Sequence, residues 1–369
     1  MAMLACAGAG AHAQGRANHG VERVRFRNIG VEQGLSQASG VDIAQDRHGF
    51  IWVATQDGLD RFDGYGFRVY KHDRSDPSSL AANNIHRLLV DRQGRLWVGT
   101  TSGGLSRYDE RLDRFDNFVP DATRADAIGS EYVSALLEDA TGTLWIATRN
   151  HGLQHYDEAH GAFVDSRCED DALRRPNSMA LQADGHVLVG TSSGLFECDP
   201  TDGTMREWKS RAGAHLAVRT VVSTEAGDAW LTATRQGLFR FGADGEEIEH
   251  YDAQTSPSLD DTDLTGLLVD RNGAIWFGSE NAGLSRLNPR TRRLETFTHA
   301  PEQPGSLAGN RAFSLFEDRD GQIWVGTWSN GISVFDPRAA GFVSVHTGGG
   351  GRSLPGASVL SVLADDDGT

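Results

Sequence analysis

The sequence reads as an all-β chain: a seven-bladed β-propeller of four-stranded antiparallel blades, followed by the start of an eighth repeat. Three features lead there. The phrase Leu96-Trp97-Val98-Gly99-Thr100 recurs as Ile51 to Thr55, Leu144 to Thr148, Ile275 to Ser279 and Ile323 to Thr327, with weaker copies at Val187 to Thr191 and Ala229 to Ala233. Its Trp positions are 52, 97, 145, 188 (here Leu188), 230, 276 and 324, so the separations are 45, 48, 43, 42, 46 and 48 residues. Repeats of about 40–50 residues built from strands are propeller blades. Finally, helical periodicity is almost absent, and 44 of 369 residues are Gly.

Each unit resolves into four strands. The first is an apolar run ending in an acid, as in Ile85 to Asp91. An Asp-x-x-Gly turn follows, here Asp91-Arg92-Gln93-Gly94. Its Asp can hold backbone amides and its Gly supplies the positive φ, so both recur for structural reasons. The second strand carries Trp97 and Gly99 on one face and Leu96 and Val98 on the other. Blades pack on both faces, so both faces are apolar, and the small third residue permits close approach. Gly104 to Asp109 forms the third strand and Arg114 to Phe118 the outermost. Two units depart from this pattern. The fourth has Leu188 for Trp, and the fifth has Thr224-Glu225-Ala226-Gly227 as its turn, with one extra residue expected within Thr232-Ala233-Thr234.

Ring closure leaves two readings. Val24 to Ile29 is a candidate closing strand, yet Gly341 to His346 offers the seventh unit a fourth strand of its own. The expected organisation is a clipped signal peptide over 1–13, the propeller over 24–346, and a Gly-rich linker with a truncated first strand of the next repeat over 347–369. Ala11-His12-Ala13 supplies the small-x-small cleavage signal. Export would place Cys168 and Cys198 in an oxidising compartment. They can pair, or Cys198 can be a small core residue at an aromatic position of the repeat.

A formal charge of −16 leaves no footprint for nucleic acid, and no apolar run is long enough to insert in a membrane. No nucleophile elbow, zinc-protease or phosphate-loop motif is present, so no catalytic residue and no cofactor is assigned. His151 and His155 share a strand face near His160, but two histidines do not make a metal site, and none is assigned. The acidic runs Glu169-Asp170-Asp171 and Asp260-Asp261 read as solvated turns.

The string Asp-x-x-Gly-x-(Leu/Ile)-Trp-(Val/Ile)-Gly-Thr-x-x-Gly-Gly-Leu-x-Arg-Tyr-Asp resembles the two-component regulator propeller repeat, best at Asp91 to Asp109, Asp139 to Asp157, Asp46 to Asp63 and Asp318 to Asp336. Gly34-Leu35-Ser36-Gln37 resembles the opening of such sensors. The resemblance implies an exported, periplasmic ligand-sensing region of a signal-transduction receptor. The missing parts would be a membrane anchor and a histidine kinase or diguanylate cyclase output. Saccharides are the ligand class it suggests, and a homodimer is a further expected association. A similar repeat occurs in streptogramin lyases, which need a metal and catalytic histidines on the channel face, whereas here the histidines read as scattered over loops and outer strands. A passive interaction or dimerisation scaffold is the remaining alternative.

Propeller ligands sit at a channel mouth built by the loops between second and third strands. The candidate ligand-binding residues are therefore Arg149, Asn150, His151, Arg235, Gln236, Glu280, Asn281, Trp328, Ser329 and Asn330. Trp328 is the aromatic member of that polar set, suited either to stacking on a ligand or to packing.

Overall fold

A computed structural model describes residues 25–338 except 256 and 304. The expected signal peptide over 1–13 and the linker over 347–369 lie outside the described residues, as does the competing strand over 341–346. The described chain forms seven four-stranded antiparallel sheets. Among the described residues the helical content is confined to short 3-10 turns, among them Val31–Gln33 and Asp171–Arg174.

Six blades are consecutive in sequence. The second shows the plan: Ile85–Val90, Leu96–Thr100, Leu105–Asp109 and Arg114–Phe118, each hydrogen-bonded to the next. The seventh is composite. Phe26–Ile29 pairs antiparallel with Ile332–Phe335, with Phe26 opposite Phe335 and Ile29 opposite Ile332. The N-terminal strand is thus the outer strand of the last blade. Phe26 and Ile29 are buried, so closure is held by side chains as well as by the ladder.

The second strand of every blade is buried along its whole length. Its third residue explains the Gly preference. A Cβ on Gly99 would sit 2.7 Å from Cγ1 of Val133, on the inner strand of the next blade, and one on Gly190 would sit 2.5 Å from Cγ1 of Val218. The Trp side chains also reach across blades. Trp52 meets Tyr108 at 5.0 Å between ring centroids, Trp97 meets Tyr156 at 5.4 Å, and Trp324 meets Phe62 at 6.1 Å across the ring's closure. Edge-on aromatic contacts of this kind repeat around the core.

The recurring Thr ends the second strand for a local reason. Thr100 Oγ1 donates to Gly104 O at 3.0 Å and accepts from Gly103 N at 2.8 Å, which closes the loop to the third strand. Thr327 does the same with Gly331 O at 2.7 Å and Asn330 N at 3.1 Å.

The two divergent blades are repaired differently. In the fourth, Leu188 leaves no indole, and Trp208 enters from the outer strand instead. Its Nε1 donates to Glu197 Oε2 at 3.0 Å, and its ring lies 5.8 Å from Phe241 of the next blade. In the fifth, the extra residue expected within Thr232 to Thr234 is not there. Thr232 pairs with Thr220 and Ala233 with Val218, the same registers that Gly99 and Thr100 hold with Arg87 and Ile85. The unit keeps its length, with Thr in the Gly position and Ala in the Thr position. Cys168 and Cys198 are disulfide-bonded, with Cα atoms 6.1 Å apart. Cys198 is also fully buried in the core, so both sequence readings hold for it.

Candidate functional site

A cavity of about 580 Å³ is lined from the inner strands of all seven blades, including Asp42, Arg87, Ser134, Ser178, Thr220, Thr265 and Ser314. This is the central channel. Side chains on these strands stitch neighbouring blades together. Ser314 Oγ donates to Gly40 O at 2.9 Å, Thr220 Oγ1 to Thr265 O at 3.0 Å, and Asn177 Nδ2 to Val218 O at 2.8 Å. No backbone ladder joins the inner strands of neighbouring blades, and these polar side chains satisfy backbone carbonyls across the gap.

A bulge aims the lining residues. In six blades the inner strand slips register at its start, between Ile85 and Arg87, Val133 and Ala135, Pro176 and Ser178, Val218 and Thr220, Leu264 and Leu267, and Ala312 and Ser314. The residues left unpaired include His86, Ser134, Asn177, Arg219 and Phe313, and every one of them lines the channel. A bulge re-aims a side chain in this way.

Charge divides the channel into two sides. On one, Arg219 Nη2 meets Glu280 Oε1 at 3.0 Å, Arg219 Nη1 meets Asp263 Oδ1 at 3.5 Å, and Arg311 pairs with the other oxygen of Glu280. On the other, Arg149 lies over the ring of Tyr132 with its guanidinium carbon 4.0 Å from the centroid, and the Tyr132 hydroxyl is 3.3 Å from His86 Nε2. Burial, with the positive charges of Arg87 and Arg149 beside it, pushes the His86 imidazole down to about 2. Asp42 shifts the other way. Burial raises its carboxyl above the usual range, against the opposing pull of Arg87 and of the Leu88 and Ile43 amides.

Of the ten candidate residues, Arg149, Arg235 and Glu280 line this channel. Trp328 is half-buried and backs the wall, 5.2 Å from Phe313 and with Arg311 4.5 Å above its ring. Asn150 and His151 line a separate recess with Asp165, Asp170 and Arg174, where His151 Nε2 is 2.7 Å from Asp165 Oδ1. Gln236 is held by Ala217 N at 3.1 Å and lines a third recess with Leu216, Phe239 and His250. Asn281 is tied to Asp261 Oδ2, and Asn330 caps its own loop through Thr327. Ser329 is exposed and donates to Asn330 Oδ1 at 3.3 Å.

His86, Arg87, Tyr132 and Arg219 were not among the candidates. His86 also corrects the expectation that the histidines lie only in loops and outer strands. Their signal was present as polar residues interrupting the start of an apolar inner strand, as in Ile85-His86-Arg87 and Val218-Arg219-Thr220. His151, His155 and His160 do not converge: His151 bonds Asp165, His160 bonds Asp157 at 2.6 Å, and His155 faces Trp145 in mid-strand. Among the described residues, one His and carboxylate cluster gathers its ligand atoms within 4.8 Å: Asp184, His186 and Glu197. Glu197 there already serves Trp208 and Arg206, so the cluster replaces the missing Asp and Trp pair of the fourth blade.

Among solved structures, the extracellular domain assigned to a hybrid two-component system of B. thetaiotaomicron superposes with a TM-score of 0.74 at 23% identity, over 85% of this chain and 42% of that one. Streptogramin B lyase superposes at 0.65 with 14% identity, over 85% of this chain and 97% of the lyase. Both likenesses are of fold. Histidine kinase P4 of Formosa agariphila is 43% identical over 56 residues, which is 15% of this chain and 4% of the kinase. The chain thus spans under half of the two-component domain and a small fraction of the kinase. The family described as two component regulator propeller matches at residues 79–102, 127–150 and 306–329. Each match enters a blade from the preceding connection and runs through its inner strand to just beyond its second, in the second, third and seventh blades. The chain is therefore a seven-bladed β-propeller, three of whose blades match the two component regulator propeller model.

Proposed function

We propose that this chain is the exported, periplasmic ligand-sensing propeller of a bacterial signal-transduction receptor, non-catalytic itself, with its ligand at the mouth of the central channel. The observation that carries this reading is the polar channel, ringed by bulge-aimed side chains and by Arg149, Arg235 and Glu280 from the top loops. A kinase relative and a two-component extracellular domain among the similar proteins support the receptor context. The Cys168–Cys198 disulfide supports an oxidising compartment. On this reading 1–13 is the export signal, and the rest of the receptor supplies the membrane anchor and a histidine kinase or diguanylate cyclase. Among the described residues no helix is long and apolar enough to cross a membrane.

A lyase reading is disfavoured by His86. It is the histidine on the channel wall, and a group held near 2 is a poor base at neutral pH.

Thermal-shift screening of the chain with small molecules and oligosaccharides tests the sensing reading. A stabilising ligand is expected, with its affinity lowered by Trp328→Ala while the fold survives. Magnesium-dependent turnover of a cyclic depsipeptide would overturn the non-catalytic assignment. A longer gene product with a membrane helix and a kinase or cyclase domain is the expected parent.

A further inference from the structure

The charge around the channel runs against the charge of the chain. The protein carries a formal −16, yet its channel wall presents four arginines, Arg87, Arg149, Arg219 and Arg235, against three carboxyls, Asp42, Asp263 and Glu280. Two of those carboxyls are spent on the Arg219 side. Glu280 is shared by Arg219 and Arg311, and Asp263 lies 3.5 Å from Arg219 and 3.8 Å from Arg235.

The Arg87 and Arg149 side has no such ion pair, and the carboxyl that feels the charge of Arg87 is the buried Asp42. Among the described residues neither guanidinium is within ion-pair distance of a carboxylate. Arg87 reaches two carbonyls, His86 O at 2.9 Å and Asn177 O at a long 3.4 Å. Asp42, the carboxyl on this side, accepts from two backbone amides, Leu88 N at 2.9 Å and Ile43 N at 3.0 Å. Burial also moves it toward its neutral form. His86 adds no positive charge of its own: burial first, and then the charges of Arg87 and Arg149, lower its basicity. Arg149 sits over the Tyr132 ring, a contact that holds its guanidinium in place and lowers the entropic cost of presenting its donors.

We propose that Arg87 and Arg149 form an oxyanion-binding subsite in the channel, so that the ligand is an acidic small molecule or acidic saccharide. An arginine carries five N–H donors in a fixed fork, matched to the paired oxygens of a carboxylate or a sulfate. Tyr132, Asn177 and Ser178 flank the subsite with polar groups for the hydroxylated body of such a ligand. The inference rests on the channel being the ligand site, and it adds the ligand's charge.

The test is titration calorimetry on the full chain with glucuronate, glucose and inorganic sulfate. The variants are Arg149→Gln, Arg87→Gln and Asn177→Ala. Arg290→Gln, in a turn outside the channel, is the control. Glucuronate is expected to bind in preference to glucose. Either arginine variant should weaken it by about tenfold or more, and added salt should weaken it further. Competition by sulfate at similar affinity would assign recognition to the oxyanion alone; a glucuronate preference would assign part of it to the sugar. Equal binding of glucose and glucuronate, lowered by Asn177→Ala and untouched by the arginine variants, would overturn the anion subsite and leave the channel site standing. Glucuronate binding insensitive to all three channel variants would overturn both. No binding of either anion would overturn the subsite.

Discussion

Asp91 holds the indole of Trp97: its Oδ2 accepts from Trp97 Nε1 at 2.8 Å, while its Oδ1 accepts from Gln93 N at 3.0 Å and Arg95 N at 2.8 Å. One carboxylate therefore shapes the hairpin and satisfies a buried indole. The same bond joins Asp46 to Trp52, Asp139 to Trp145, Asp270 to Trp276 and Asp318 to Trp324, at 2.8–2.9 Å. Turn Asp and strand Trp thus occur together in five blades; the fourth blade lacks both, and the fifth keeps Trp230 with Thr224 in place of the Asp. Asp91→Ala is expected to cost about 3 kcal/mol, because it removes charge-assisted bonds and strands a buried N–H. Urea unfolding measures it. A cycle with Trp97→Phe should show coupling of about 1–2 kcal/mol, and additivity would show that the bond carries no energy.

Gly99→Ala probes the contact between blades. The new methyl would fall 2.7 Å from Val133 Cγ1, with rigid strands on both sides. The expected loss is about 1–3 kcal/mol, the range for overpacking a filled core. Val133→Ala in the same chain should recover part of it. Two losses that simply add would place the strain elsewhere.

The disulfide joins residues 30 apart and ties the connection between the third and fourth blades to the third strand of the fourth. Reduction, or Cys168→Ser with Cys198→Ser, should lower stability by about 3.5 kcal/mol for a loop of that length. Denaturation with and without reductant checks this. Unchanged stability on reduction would show that the bond does not constrain the unfolded chain.

Asp60 sets a pH dependence. It is fully buried; burial pushes its carboxyl up to about 6, although Ser36 bonds to its ionised form. Ser36 Oγ donates to its Oδ2 at 2.6 Å, and its Oδ1 has no partner. The folded value lies above the unfolded one, so the folded state holds the proton more tightly. Stability from this group is present below about pH 4 and is lost as pH rises toward 6 and above. The loss is at most about 3 kcal/mol. Asp60→Asn should therefore gain on the native protein between pH 4 and pH 7. A stability difference flat across that window would show that the carboxyl titrates normally in the fold.

Much of this fold could be read locally. The Asp-x-x-Gly turn, the Trp phrase and the small third residue lie within about ten residues of one another, and hairpin chemistry of that range is written in neighbouring side chains. The site was less readable. Loop position pointed to Arg149, Arg235 and Glu280, but it grouped with them Asn281, whose side chain bonds Asp261 of the preceding connection, and Asn330, whose side chain accepts from its neighbour Ser329. His86 and Arg219 escaped notice because a bulge, which depends on the partner strand, turns them to the axis.

By itself the sequence determined the number of blades, the four-strand plan of each and the structural duty of Asp91 and its equivalents, because strand alternation and turn geometry are short-range. The tertiary structure decided what depends on contacts between distant residues. It paired Phe26–Ile29 with Ile332–Phe335, across some 300 residues of chain that only ring closure brings together. It supplied Trp208 where Leu188 left a gap, joined Cys168 to Cys198, and gathered Arg87, Arg149, Tyr132 and His86 around one cavity. Those four come from two blades, and no spacing in the sequence records that their inner strands converge on a common axis.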